Sequence, residues 1–208
     1  MKKIALLLSA LLMVFALSAC TESANGPGTN QEPSAPTETG GETSGKVLVA
    51  YFSATGNTES IAVHIAELTE SELYEIVPET PYTEADLDYT NPDSRSQAEN
   101  DDPGARPEIS GQVENMEDYS AVFLGYPIWN GQAPKIISTF LESYDFSGKT
   151  IVPFCTSGSS PIGSSAENLR SLAPGADWLE GMRFSGSSDR DTVSDWISSL
   201  GLGLGAAS

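Results

Sequence analysis

The sequence contains few cysteines, few histidines and few basic residues. Among its 208 residues there are two Cys and one His. No CxxC pair or Cys/His cluster occurs, which argues against a zinc site or a redox dithiol. Lys and Arg together number 10, whereas Asp and Glu number 29, and the formal net charge is -19. Because so acidic a chain repels phosphate backbones, we expect no nucleic-acid partner.

Several motifs of catalytic chemistry are also missing. No GxSxG occurs, which argues against a nucleophile-elbow hydrolase. Residues 40–46 spell GxxxxGK, but Val47 stands where a P-loop has Ser or Thr, and the motif precedes the first predicted strand. The acidic pair Asp101 and Asp102 lacks the spacing of a calcium loop. The one histidine, His64, lies within a predicted helix. We therefore predict no catalytic side chain and no metal site.

The N-terminal 19 residues have the layout of a secretory signal. Two lysines precede an apolar run at residues 4–17, and Ser18 and Ala19 supply the small residues of a cleavage site. The run is shorter than the roughly 20 apolar residues that a membrane-spanning helix needs. We predict a signal peptide over residues 1–19, with an uncleaved anchor helix as the alternative.

Residues 17–20, Leu-Ser-Ala-Cys, resemble the lipobox of bacterial lipoproteins, in which the cysteine is acylated. The resemblance implies lipidation of Cys20 and attachment to a bacterial membrane through this anchor only, with the folded part outside the cytoplasm. The alternative is an ordinary signal peptide that ends near a cysteine. Residues 20–45 are polar and rich in Thr, Ser, Gly and Pro, which predicts a disordered tether. Residues 201–208 are predicted to form a flexible tail.

The pattern over residues 46–200 predicts one α/β domain. Apolar runs typical of buried strands alternate with amphipathic helical segments, which favours a parallel sheet covered by helices on both faces. The long polar segment 78–119 does not fit this pattern, and a short helix is expected within it at about 94–100. Strands are predicted at 47–52, 73–77, 121–126, 150–155 and near Met182. The other helices are predicted at 59–68, 133–143, 165–172 and 191–200.

Three loops follow predicted strands and have the composition of a ligand site. The carboxyl ends of parallel strands meet at one edge of the sheet, where ligands bind in open α/β folds. The first loop, 53–58, is Ser-Ala-Thr-Gly-Asn-Thr and opens a helix, so its hydroxyl and N–H groups suit a phosphate. The second, 125–134, carries Trp129, which suits stacking on a flat ring. The third, 156–163, offers many polar donors. Each loop has an alternative interpretation. The first could be a simple helix cap, the second could fold its Trp into the core, and the third could be an ordinary serine-rich turn.

These three loops together resemble the phosphate-binding and ring-binding loops of the flavodoxin family, in a bacterial flavodoxin-like lipoprotein branch. The resemblance covers about residues 46–200 and implies a doubly wound, five-stranded parallel sheet of order 2-1-3-4-5 with FMN as cofactor. One departure is that the third loop has no aromatic residue to cover a second face of the ring, so that face is either open or covered by Tyr82 or Tyr89. The phosphate would be held by Ser53, Thr55, Gly56, Asn57 and Thr58, and the ring and ribityl chain by Pro127, Ile128, Trp129, Asn130, Gly131, Thr156, Ser157, Gly158 and Gly163.

The leading hypothesis is therefore an FMN-binding redox protein of the cell envelope that transfers electrons to a redox partner protein or a small acceptor. Two alternatives remain open. One is an NAD(P)H-dependent reductase of quinone type, although no GxGxxG dinucleotide motif is present. The other is a cofactor-free binding module on the same scaffold, since a fold alone does not establish a function.

Overall fold

The computed structural model describes residues 45–203. The predicted signal peptide, the predicted lipidation site Cys20 and nearly all of the predicted tether lie outside the described residues, as do the last five residues of the predicted tail. Within residues 45–203, no helix has the length and apolar character needed to cross a bilayer.

The described chain alternates strands with helices as the sequence pattern predicts. The strands are β1 (Lys46–Tyr51), β2 (Glu72–Glu75), β3 (Val77–Pro78), β4 (Ile109–Ser110), β5 (Tyr119–Pro127), β6 (Thr150–Thr156), β7 (Asp177–Trp178) and β8 (Met182–Phe184). The α-helices are α1 (Asn57–Thr69), α2 (Arg95–Asp101), α3 (Lys135–Glu142), α4 (Ser165–Leu169) and α5 (Arg190–Ser199), and short 3-10 turns cover Met116–Asp118 and Arg170–Leu172.

The central sheet confirms the expected fold class. Its strands run in the order β2-β1-β5-β6, and both β7 and β8 pair with β6 at the far edge. All of these pairs are parallel. The two short strands share the fifth position, so the order is the 2-1-3-4-5 that the resemblance implies, with its last strand in two pieces.

Successive side chains of β1 point to opposite faces of the sheet, and each face has its own core. Leu48 and Ala50 belong to a cluster that also contains Ile137 and Phe140 of α3. Val49 belongs to a second cluster on the other face, which is built with α1 and α5. Because both faces are covered, β1, β5 and β6 read as continuous apolar runs rather than as alternating ones.

The second strand differs from its prediction of 73–77. β2 ends at Glu75. The next residue, Ile76, has a fully buried side chain, and its N–H donates to the carbonyl of Tyr51 at 2.7 Å. Val77 and Pro78 leave the main sheet and pair antiparallel with Ser110 and Ile109. The long polar segment begins at this point, and its far end returns to pair with its start. The backbone of residues 77–78 therefore pairs with 109–110 instead of with the central sheet.

That return defines residues 79–108 as an insert closed at its base by the β3–β4 pair. The N–H of Glu79 donates to the carbonyl of Glu108 at 2.9 Å, directly beside the pair. Inside the insert, Asp86 accepts from the N–H and the hydroxyl of Thr83, and such side-chain bonds replace regular backbone ladders in turns. The predicted helix at 94–100 is present as α2, shifted by one residue.

Candidate functional site

A cavity of about 630 Å³ lies where the carboxyl ends of β1, β5, β6 and β8 meet. Of the residues that the structure describes, none of those lining the cavity carries a charge. This is unusual in a chain with a net charge of -19. The lining residues are Ala54, Thr55, Asn57, Thr58, Leu87, Tyr89, Ser96, Gln97, Pro127, Ile128, Trp129, Asn130, Gly131, Thr156, Ser157, Gly158, Ser160, Ser185 and Gly186.

The first loop joins β1 to α1 and presents the N-terminus of that helix to the cavity. Gly56 is the N-cap residue, has a φ of 81° and has no side chain with which to cap the first amide groups. Asn57 and Thr58, the first two helical residues, line the cavity together with Thr55. The uncapped amides and the helix dipole make this end of the cavity suited to an anion.

Ser53 contributes a buried polar atom next to this helix end. Its hydroxyl oxygen is shielded from solvent and has no hydrogen-bond partner among residues 45–203. A buried hydroxyl without a partner costs about 1–3 kcal/mol. A phosphate oxygen at the first loop is one acceptor that could satisfy it, so the donor set fits a phosphate group.

The first and third loops are joined at the base of the cavity. The hydroxyls of Thr58 and Thr156 lie 2.8 Å apart, and both residues are buried. Thr58 is the second residue of α1 and Thr156 ends β6, so this bond fixes the spacing between a helix start and a strand end. The two loops therefore form one continuous wall.

The second loop contains a tight turn that displays Trp129. Asn130 and Gly131 have φ values of 49° and 77°. Trp129 and Gln132 exchange both backbone hydrogen bonds at 2.9 Å. Two central residues with positive φ, of the type Asn-Gly, are the signature of a type I′ turn. The turn holds the backbone of Trp129 rigidly at the cavity.

Trp129 is half-buried, neither the fully exposed side chain that the loop composition favours nor a core residue. Its ring meets Phe52 edge-on at 5.5 Å between centroids and Tyr82 edge-on at 5.2 Å. Such pairs contribute about 0.5–1.5 kcal/mol beyond burial. One side of the indole is therefore packed against aromatic rings while the residue still lines the cavity.

Tyr82 is itself held in place by the insert. Its hydroxyl donates to Glu99 at 2.5 Å, and the guanidinium of Arg95 lies 4.0 Å from its ring centroid. Arg95 also donates to Glu99 at 2.6 Å. Burial, followed by the Glu99 carboxylate, raises the pKa of Tyr82, so the hydroxyl stays protonated and continues to donate.

The insert also supplies part of the cavity wall. Leu87, Tyr89, Ser96 and Gln97 line the cavity, and Gln97 donates to the backbone carbonyl of Tyr89 at 2.9 Å. Asn130 of the second loop donates to the Gln97 side chain. Of the two tyrosines considered for a second ring face, Tyr89 lines the cavity and is 78% exposed, whereas Tyr82 lies behind Trp129.

The structure brings most of the predicted site residues together. Eleven of the fourteen predicted cofactor-binding residues line the cavity; Ser53, Gly56 and Gly163 do not. Ser53 and Gly56 still belong to the first loop, whereas Gly163 lies beyond the lining part of the third loop. The individual roles assigned to these residues remain predictions.

Sequence reasoning missed a fourth loop, after β8. Ser185 and Gly186 line the cavity beside the first loop, and a methyl group at Gly186 would overlap the side chain of Asn57. The signal was present, because Ser185 to Ser188 read Ser-Gly-Ser-Ser and follow a predicted parallel strand. The loop was not recognised as part of the site because the strand before it has only three residues and its end could not be located from the sequence.

No group of three or more His, Cys, Asp or Glu side chains that could hold a metal occurs in the described part of the chain. Cys155 is buried at the end of β6, and burial raises the pKa of its thiol to about 12. It is therefore a packed thiol rather than a nucleophile.

Comparisons with known proteins point to one family. The family model of flavodoxin matches residues 46–200. A candidate flavoprotein from Bacteroides eggerthii is 46% identical, with a TM-score of 0.71, over 75% of this chain and 98% of that one. A second, from Bacteroides uniformis, is 44% identical, with a TM-score of 0.71, over 74% of this chain and 98% of that one. A Lactobacillus acidophilus flavoprotein solved in complex with FMN is 25% identical, with a TM-score of 0.54, over 73% of this chain and 99% of that one. Comparison with curated proteins gives no match.

The packing around Trp129 predicts unequal effects for the two tyrosines of the insert. Tyr82→Leu removes the ring contacts with Trp129 and with Phe52, whose centroid is 5.7 Å away, and the bond to Glu99. We therefore expect the free energy of unfolding in urea to fall by about 1–3 kcal/mol. Tyr89→Leu, at an exposed position, is the matched control and should change it by less than about 0.5 kcal/mol. Equal effects of the two substitutions would contradict the packing role of Tyr82.

Proposed function

Because the chain belongs to the flavodoxin family, we propose that it binds FMN in the cavity at the carboxyl ends of its strands and transfers electrons through it. The observation that carries the proposal is the pairing of an uncapped helix N-terminus with an aromatic, uncharged cavity. The first suits a phosphate and the second a flat heterocycle.

The phosphate of FMN would be held by hydrogen bonds and the helix dipole alone. Thr55, Asn57 and Thr58 provide hydroxyl and amide groups at the N-terminus of α1, and the hydroxyl of Ser53 has a free hydrogen-bonding capacity. No Lys or Arg occurs in the first loop. The favourable interaction of an anion with a helix N-terminus amounts to about 0.3–1 kcal/mol for exposed sites and up to about 2 kcal/mol when partly buried.

The ring would be bordered by the second and third loops and by the insert. Trp129 provides a rigid aromatic surface, and Tyr89 provides a second aromatic side chain from a different part of the chain. Pro127 and Ile128 add apolar surface. Ser157 and Gly158 line the same cavity, and the N–H group of Gly158 would donate to a heteroatom at the edge of the flavin.

FMN, when bound, supplies the electron-transfer chemistry, and the protein supplies binding, orientation and electrostatics. The chain fixes three walls of the cavity through the Thr58–Thr156 bond, the type I′ turn at Asn130 and the base of the insert. The described residues that line the cavity include no Asp, Glu, His, Lys or Arg, so we assign no acid or base to the lining side chains. This agrees with a carrier role, which needs no proton donor among the side chains.

Binding is tested by a fluorescence titration of the purified chain with FMN, using two glycine variants. Gly56→Asp places a carboxylate at the proposed phosphate site, and we expect the Kd for FMN to rise at least about tenfold. Gly148→Asp is the matched control, because Gly148 also has a positive φ, of 73°, but precedes β6 at the opposite end of the sheet. A wild-type chain that retains no FMN after desalting, or two variants that weaken binding equally, would overturn the proposal.

We also propose that the domain is anchored at the cell envelope through lipidated Cys20. The support is the Leu-Ser-Ala-Cys pattern and the polar segment 20–45, which is long enough to hold a domain away from a bilayer. Growth of cells expressing the chain with a clickable fatty acid should label it, and Cys20→Ser should abolish the label and release the protein from the membrane fraction. Labelling that survives Cys20→Ser would contradict this anchor.

A second candidate function is reduction of a small acceptor. Leu87 and the exposed ring of Tyr89 give the cavity an aliphatic and aromatic border, which suits a flat uncharged molecule such as a quinone. NADH or NADPH oxidation by the FMN-loaded chain in the presence of a water-soluble quinone tests it. Steady turnover supports a reductase, whereas flavin that accepts electrons only from a reduced protein partner supports a carrier.

A further inference from the structure

Arg183 of β8 binds the back of the third loop. Its Nε donates to the hydroxyl of Ser157 at 3.1 Å, and its Nη2 donates to the carbonyl oxygens of Ser157 at 2.6 Å and Gly158 at 2.7 Å. Both acceptor residues line the cavity. Three bonds to one loop use the fixed, planar geometry of the guanidinium, which a lysine could not reproduce.

The charge of Arg183 is not neutralised by a carboxylate. Five ion pairs occur between residues 45 and 203, and Arg183 takes part in none of them. Arg95, which precedes the lining residue Ser96, is different, because it is paired with Glu99 at 2.6 Å. In a chain with a net charge of -19, an unpaired cation against an uncharged cavity is a distinct electrostatic feature.

The bonds to Arg183 also orient the peptide groups of the loop. In a planar trans peptide the N–H points opposite to the C=O. Because the carbonyls of Ser157 and Gly158 point at Arg183, the N–H groups of Gly158 and Ser159 point away from it. The arginine thus fixes which side of the loop offers donors.

The field of Arg183 reaches the end of β6. Burial raises the pKa of the Cys155 thiol to about 12, and the charge of Arg183 acts in the opposite direction. Cys155 pairs with Arg183 in the parallel register of β6 and β8. A negative charge at the cavity, just beyond the end of β6, would be stabilised in the same way.

We propose that Arg183 is a positioning residue that fixes the third loop and, through its unpaired charge, makes the cavity bind reduced flavin more tightly. The inference rests on the proposed function, since it concerns FMN in this cavity. When fully reduced near neutral pH, the flavin ring has taken up two electrons from its reductant and one proton from water, so it gains one negative charge. A nearby cation stabilises that charge and not the oxidised ring.

The test compares the Kd of oxidised FMN with that of dithionite-reduced FMN, measured anaerobically on the full chain. In Arg183→Gln we expect the affinity for reduced FMN to fall about tenfold more than that for oxidised FMN. A tenfold change in this ratio corresponds to a two-electron potential lower by about 30 mV. In Arg183→Lys the charge remains and the three-bond geometry is lost, so both affinities should fall together and the ratio should stay close to wild type.

Lys46→Gln is the matched control for loss of one positive charge. Lys46 begins β1 at the opposite end of the sheet from the cavity, and its side chain is 64% exposed, so the ratio should not change. An unchanged ratio in Arg183→Gln, or an equal change in Arg183→Lys, would overturn the role of the charge even though the wild type binds FMN. A wild type that binds FMN in neither state would instead refute the proposed function itself.

Discussion

Parallel pairing of β1, β5 and β6 is the constraint on which the rest of the molecule depends. Parallel strands cannot be joined by tight turns, so the chain must cross the faces of the sheet between them. Helix α3 covers one face, and α1 and α5 cover the other. The same geometry brings the loops after β1, β5 and β6 to one edge. The two cores on either side of the sheet keep these strand ends in register. The site therefore follows from the topology before any of its side chains is considered.

The insert changes this common arrangement into a particular one. It is tied to the sheet at its base by the β3–β4 pair and reaches the second loop through Tyr82 and Gln97. The ring of Trp129 is consequently packed edge-on against Tyr82 of the insert and against Phe52, which follows β1. Carboxylates are abundant on the insert, yet those of Asp86 and Asp88 lie outside the cavity lining and accept hydrogen bonds from Thr83 and Thr90, which lowers their pKa values. The acidic character of the chain is thus kept outside an uncharged cavity.

Much of this was predictable from local patterns. The apolar runs of β1, β5 and β6 and the spacing of Ile61 and Ile65 follow from burial on one or both faces, which periodicity records directly. The first and second loops, 53–58 and 125–134, were predictable because polar or aromatic residues follow such runs. The contacts of Tyr82, Arg183 and Gly186 with the loops were not, because each joins residues far apart in sequence. The two-residue strand β7 was also missed, since so short a strand has no period to detect, whereas β8 was predicted only by its approximate position near Met182.

The central claim is that the cavity binds both ends of one FMN molecule. The first loop and the N-terminus of α1, with Ser185 and Gly186 beside them, hold the phosphate, and the second and third loops hold the ring. The most direct test is to compare the Kd of FMN with that of riboflavin, which has the same ring and ribityl chain but no phosphate, on the purified chain. The account predicts that FMN binds at least about tenfold more tightly, since only FMN uses the helix N-terminus. Equal affinities, or no binding of either compound, would contradict it.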